Sequence, residues 1–189
     1  PAELARFALD ALFERPVQED LVELLLLSKA DGRFTSCILV HGMGGTGKTV
    51  TAVAAVQDRA VRVRFSNIYW LTVGADAVGE RVLALQAMLY KQLTGKGMQD
   101  EEARDEHERQ GLLVAAMADK QRSLLVLDDP WMPEQVRFLN AIDGSQTEHR
   151  LLVTTRIRDL VPKATRVELP LMGKDEAVAL LLELANVQE

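Results

Sequence analysis

The most explicit chemistry in the chain lies in eight residues, Gly42-Met43-Gly44-Gly45-Thr46-Gly47-Lys48-Thr49. They fill a G-x-x-x-x-G-K-[ST] pattern completely, and each position has a physical reason. Glycines let the backbone enter positive φ and turn its N–H groups inward, making an anion-binding nest. A helix beginning near Lys48 would aim the positive end of its dipole at the same point. Lys48 reads as the cation that bridges terminal phosphates, and the Thr49 hydroxyl as a ligand for Mg²⁺. The stretch assigned to phosphate binding runs from Gly42 to Val50.

A second group of candidates follows further along. Leu124-Leu125-Val126-Leu127 is an apolar run ending in two carboxylates, Asp128 and Asp129. A parallel strand delivers its last side chains to the carboxyl edge of a sheet, where ligands bind in open α/β folds. Asp128 is assigned to the metal ion and Asp129 to the base that orients or deprotonates an attacking water. A plain turn cap into Pro130 is the bland alternative for Asp129. Leu151 to Thr155 is a similar run that ends at Arg156, a side chain that could report a γ-phosphate.

These residues need elements to hold them. Short apolar runs at Cys37–His41, Ile68–Val73, Leu124–Leu127, Leu151–Thr154 and Val167–Leu169 predict strands. Between them fall helical stretches: Gln18 to Lys29, Lys48 to Arg59, Ala77 to Leu93 with Asp76 as its N-cap and Val78 on its apolar face, one opened by the acidic run Asp100 to Glu108, and one from Asp175 through Ala185. Alternating strands and helices predict an α/β protein of three layers around a central parallel five-stranded sheet, and the glycine-rich loop after its first strand makes that a P-loop NTPase fold. With Ile68–Val73 intervening in sequence, there is room for another strand between the phosphate-loop strand and the acidic strand.

Composition narrows the function. The chain has 189 residues, 48% of them hydrophobic and 26% charged, which fits one soluble globular domain. Twenty-two basic against 28 acidic residues give a net charge of −6, which argues against direct nucleic-acid binding or attraction to anionic lipid. The single Cys37 excludes an internal disulfide and fits a reducing compartment. No apolar run approaches the roughly 20 residues of a membrane helix. No secretory signal is visible, and the chain does not open on methionine. It therefore reads as a piece of a longer cytoplasmic protein. His41, His107 and His149 lack ligand spacing, and Trp70 and Trp131 read as packing residues.

Four segments in order, GMGGTGKT (42–49), IYWLTVG (68–74), LLVLDDPW (124–131) and LLVTTR (151–156), resemble the NB-ARC domain of the STAND class of signalling ATPases. The tail VELPLMGKDEAVALL (167–181) is similar to the family's stretch after its sensor strand. The resemblance implies an adenine nucleotide, ATP or ADP, with Mg²⁺, and a switch of slow turnover that governs assembly of an immune- or cell-death-type receptor. It matches Lys48 and Thr49 to the phosphate and metal positions, Asp128 and Asp129 to the acidic pair, and Arg156 to the sensor arginine. Phe13-Glu14-Arg15 stands where the family's adenine-contacting segment lies, with Glu14 where glycine is usual. Residues 1–34 would lead into the domain and 35–189 form its core, without the family's helical and winged-helix subdomains. Partners would be the parent protein's other domains and, through them, self-assembly. A small-molecule kinase and a non-hydrolysing scaffold are the competing readings.

Overall fold

A computed structural model describes residues 16–28, 31–32, 34–98, 105–143 and 148–186. Its strands are β1 (Cys37–His41), β2 (Asn67–Thr72), β3 (Ser123–Asp128), β4 (Arg150–Thr155) and β5 (Thr165–Glu168). All pair in parallel, in the order β2-β3-β4-β1-β5. The place left between the phosphate-loop strand and the acidic strand is filled by β4, which pairs with β1 through Val40–Thr154 and with β3 through Asp128–Thr154.

Strand periodicity divides the core in two. Ile38, Val40, Leu124, Val126 and Leu152 point to one face, where α1 (Pro16–Leu26), α2 (Lys48–Gln57) and α3 (Arg59–Arg64) cover them. Leu39, Leu125, Leu127, Leu151 and Val153 point to the other, under α4 (Glu80–Thr94), α5 (Glu106–Ala118) and α6 (Pro133–Leu139). Alternation with period two on strands that are apolar throughout is what a sheet covered on both sides requires. Trp70 lies in the first of these cores at 2% exposure, as the packing reading expects. A last helix, α7 (Lys174–Asn186), leaves Val178, Leu181 and Leu182 exposed.

Three of the expected helices are bounded differently in the structure, and α6 was not expected from the sequence. The helix expected from Lys48 to Arg59 breaks at Asp58, whose carboxylate accepts from the N–H groups of Ala60 and Val61 and so starts α3. Asp76 does not cap α4. Its carboxylate pairs with Arg81 at 3.1 Å, and the helix begins after Gly79, held at φ 51°. Val78 therefore precedes the helix and is exposed, while its neighbour Ala77 is fully buried. For the acidic run, the N-cap is Asp105, which accepts from His107 and Glu108, and residues 99–104 lie outside the described ones.

A candidate phosphate-binding site at the carboxyl edge of the sheet

Four elements end at one cleft of about 340 Å³, lined by Gly45, Gly47, Lys48, Thr49, Val50, Thr72, Asp128, Asp129, Thr154 and Arg156. β1 delivers the glycine-rich loop, α2 starts from it, and β3 and β4 bring the carboxylates and the arginine. Gly45 and Gly47 sit at φ 80° and 92°, where a side chain would be strained. At Gly42 the demand is closeness: a Cβ there would strike the Leu169 carbonyl oxygen. That oxygen is fixed, because the Leu169 N–H donates to the His41 carbonyl at 2.7 Å. Thr46 donates its hydroxyl to the Met43 carbonyl at 3.0 Å, closing the loop on itself, while the Met43 side chain points to solvent.

Lys48 is 8% exposed, and its ammonium donates to the carbonyls of Gly42 (3.0 Å) and Met43 (2.6 Å). Burial lowers its pKa, and the Arg156 cation adds to that, against the opposite pull of Asp129 and Asp128. The loop therefore carries a partly desolvated cation beside backbone N–H groups and a helix N-terminus, a donor set that fits a phosphate.

Asp128 sits at the end of β3, 5% exposed. One of its oxygens accepts two hydroxyls, from Thr49 at 2.8 Å and Thr154 at 2.5 Å. Burial raises its pKa; the two hydroxyl hydrogen bonds oppose this and Asp129 adds to it. A buried carboxylate held by hydroxyls is a hard oxygen site of the kind Mg²⁺ takes. Thr154 was not singled out in the sequence, although it links both acids. Besides donating to Asp128, its hydroxyl accepts from the Asp129 N–H at 3.1 Å.

Asp129 is one of two described non-glycine residues at positive φ, 55°. Its backbone is held by its N–H on the Thr154 carbonyl and by the Gly74 N–H on its own carbonyl. Its carboxylate faces Arg156 Nε at 3.8 Å and accepts the Trp131 indole N–H at 3.3 Å. The Arg156 guanidinium lies 4.9 Å from the Trp131 ring and against Gly44, where a Cβ would come within 3.0 Å of Nη1. Trp131 thus packs against two residues that line the cleft and lies in neither hydrophobic core, which corrects its reading as a plain packing residue. Gln135 was missed as well. Fully enclosed, it accepts from the N–H groups of Trp131 and Met132 and donates to the carbonyls of Gly74 and Ala77. Pro133 at the start of α6, with a glutamine two residues on, is the helix-start signal that could have revealed it.

The structure thus brings Gly42 to Val50, Asp128, Asp129 and Arg156 to one edge. Phe13 and Arg15 lie outside the described residues. No cluster of three or more histidine, cysteine or carboxylate side chains suited to a metal occurs among the described residues.

A parallel sheet with a glycine-rich loop leading into α2 and an acidic strand one place removed defines a P-loop NTPase fold, a nucleotide-binding class. The fold is shared with the Aeropyrum pernix ORC1 protein solved in complex with DNA (TM-score 0.61, 16% identity, 97% of this chain and 52% of that one). It is shared also with a point variant of Thermotoga maritima RuvB (TM-score 0.53, 17% identity, 94% and 52%). Within that class the chain belongs to the NB-ARC family, whose domain model matches residues 17–189. Relatives include the regulatory protein AfsR of Streptomyces coelicolor, 28% identical over 98% of this chain and 18% of its own length. Apoptotic protease-activating factor 1 of Danio rerio is 30% identical over 76% of this chain and 12% of its own. Disease resistance protein RGA2 of Solanum bulbocastanum is 27% identical over 74% and 14%. The chain thus spans less than a fifth of the length of these relatives. No described helix is long and apolar enough to cross a membrane.

Proposed function

We propose that the chain is the nucleotide-binding core of an ATP/ADP switch that hydrolyses ATP slowly with Mg²⁺ and controls assembly of a larger cytoplasmic signalling protein. The observation that carries this reading is the convergence of Lys48, Thr49, Asp128, Asp129 and Arg156 on one cleft. ATP is the substrate. The loop from Gly42 to Val50 cradles its phosphates, and Lys48 exchanges the carbonyls of Gly42 and Met43 for phosphate oxygens. Thr49 and Asp128 would hold Mg²⁺, which when bound offsets phosphate charge. Asp129 takes a proton from a water whose oxygen attacks the γ-phosphorus while the bond to the β–γ bridging oxygen breaks. ADP and inorganic phosphate leave, and Lys48 and Arg156 stabilise charge on the transferred group.

Slow turnover follows from the engagement of the base. Asp129 Oδ1 already faces a guanidinium and must exchange that cation for a water, while Oδ2 stays on the Trp131 indole N–H. The family's adenine contacts fall to Phe13 and Arg15, with residues 1–34 leading into a core of 35–189. The relatives named for apoptotic protease activation, disease resistance and regulation support a switch role for the parent protein. The test is phosphate release from ATP with Mg²⁺, beside Asp129→Ala and Lys48→Ala. Release that both variants abolish supports the reading. Release unaffected by either, or a phosphorylated metabolite formed from a mixed panel, contradicts it.

A further inference from the structure

Resting on that reading of the cleft, we infer that Trp131 is a positioning residue that sets both Asp129 and Arg156. The two groups assigned to water and to the γ-phosphate meet on this one side chain. Its indole N–H donates to Asp129 Oδ2, while the other carboxylate oxygen, Oδ1, faces Arg156 Nε at 3.8 Å. Its ring face lies 4.9 Å from the Arg156 guanidinium carbon. The ion pair cannot hold this arrangement unaided. At 3.8 Å, with Asp129 a third exposed and Arg156 half exposed, such a pair contributes little. A long arginine on a strand end would otherwise spread over many rotamers, and the indole face restricts it.

Trp131 is itself held. Its backbone N–H donates to Gln135 Oε1 at 2.7 Å, and the other end of Gln135 is anchored on the Gly74 and Ala77 carbonyls. The guanidinium also lies against Gly44, where an added Cβ would come 3.0 Å from Nη1. Arg156 thus touches the aromatic ring and the phosphate loop, beside the carboxylate it must release if it is to meet a γ-phosphate.

Two substitutions separate the indole's roles. Trp131→Phe keeps a ring for Arg156 and removes the N–H from Asp129. Trp131→Leu removes both. The full chain is assayed for ADP affinity, for affinity toward a non-hydrolysable ATP analogue, and for hydrolysis. Trp131→Phe is expected to bind both nucleotides within about twofold of wild type and to hydrolyse ATP about tenfold more slowly, a fraction of a general base's worth. Trp131→Leu should also lower the preference for the ATP analogue over ADP about threefold, the size of an exposed cation–π contact. That last change should disappear in an Arg156→Ala background, which a merely structural loss would not do. A Trp131→Phe chain that hydrolyses at the wild-type rate, or a Trp131→Leu change in preference that persists without Arg156, overturns the inference. If wild type binds normally and both variants behave like it, this inference alone fails. If wild type binds no nucleotide, the functional reading fails with it.

Discussion

The two glycines of the phosphate loop that lie closest to other groups should respond to the same added methyl in opposite ways. In Gly42→Ala the new Cβ meets the Leu169 carbonyl oxygen, a backbone atom fixed by the hydrogen bond from Leu169 to His41. Relief requires the end of β5 to move away from β1, and overpacking of this kind costs about 2 to 3 kcal/mol. For a domain of this size that is a fall in Tm of about 5 to 10 °C. In Gly44→Ala the nearest atom is Arg156 Nη1 at 3.0 Å, the tip of a half-exposed side chain that can swing aside. Stability should then stay within about 0.5 kcal/mol of wild type, while the preference for an ATP analogue over ADP falls. Thermal unfolding of the three proteins without nucleotide, followed by titration with both nucleotides, reads each arm. Equal stability of Gly42→Ala and wild type, or a Gly44→Ala protein less stable than Gly42→Ala, would refute the reasoning.

Two further outcomes follow from buried ionisable groups. Burial raises the Asp128 pKa in the fold, so whatever stability this group contributes is present at low pH and is lost as pH rises through the folded value. Asp128→Asn keeps an acceptor for Thr49 and Thr154, and should raise stability at pH 7 by about 0.5 to 2 kcal/mol while abolishing hydrolysis. The gain should vanish near the ordinary aspartate pKa of about 3.9 in urea titrations, and a variant less stable than wild type at pH 7 contradicts it. His149 has the opposite sign. At 3% exposure, burial lowers its pKa, and its Nδ1 accepts the Ser123 N–H at 3.0 Å. Its contribution is present above the ordinary histidine pKa of about 6.5 and lost as pH falls below it. Stability from urea titrations should therefore drop between pH 7 and pH 5 by up to about 2 kcal/mol, and less steeply in His149→Asn, whose amide oxygen can replace Nδ1. Parallel slopes in the two proteins would contradict this.

Much of the site was legible because strand ends and a glycine-rich loop leave a local imprint. Gly42 to Thr49, Asp128, Asp129 and Arg156 each follow an apolar run, and a run of four or five buried residues has little choice but a central strand. What sequence could not give was lateral. Thr154 looks like any strand threonine until β4 is placed between β3 and β1, where its hydroxyl reaches both acids. Trp131 and Gln135 depend on α6, a helix of seven residues whose buried apolar positions, Val136 and Leu139, are too few to register a period. The split at Asp58 and the late start of α4 are boundary effects, decided by caps and by Gly79 rather than by hydrophobic pattern.

The central claim is that this cleft holds an adenine nucleotide through Lys48. The most direct measurement is calorimetric titration of ADP into nucleotide-stripped chain beside Lys48→Ala, with the unfolding transition of each recorded. Wild type should bind, and binding should weaken about 10- to 100-fold in Lys48→Ala, the worth of a charge-assisted hydrogen bond to phosphate, with both proteins folded. Equal affinity in the two folded proteins, or no heat of binding in wild type, would contradict it.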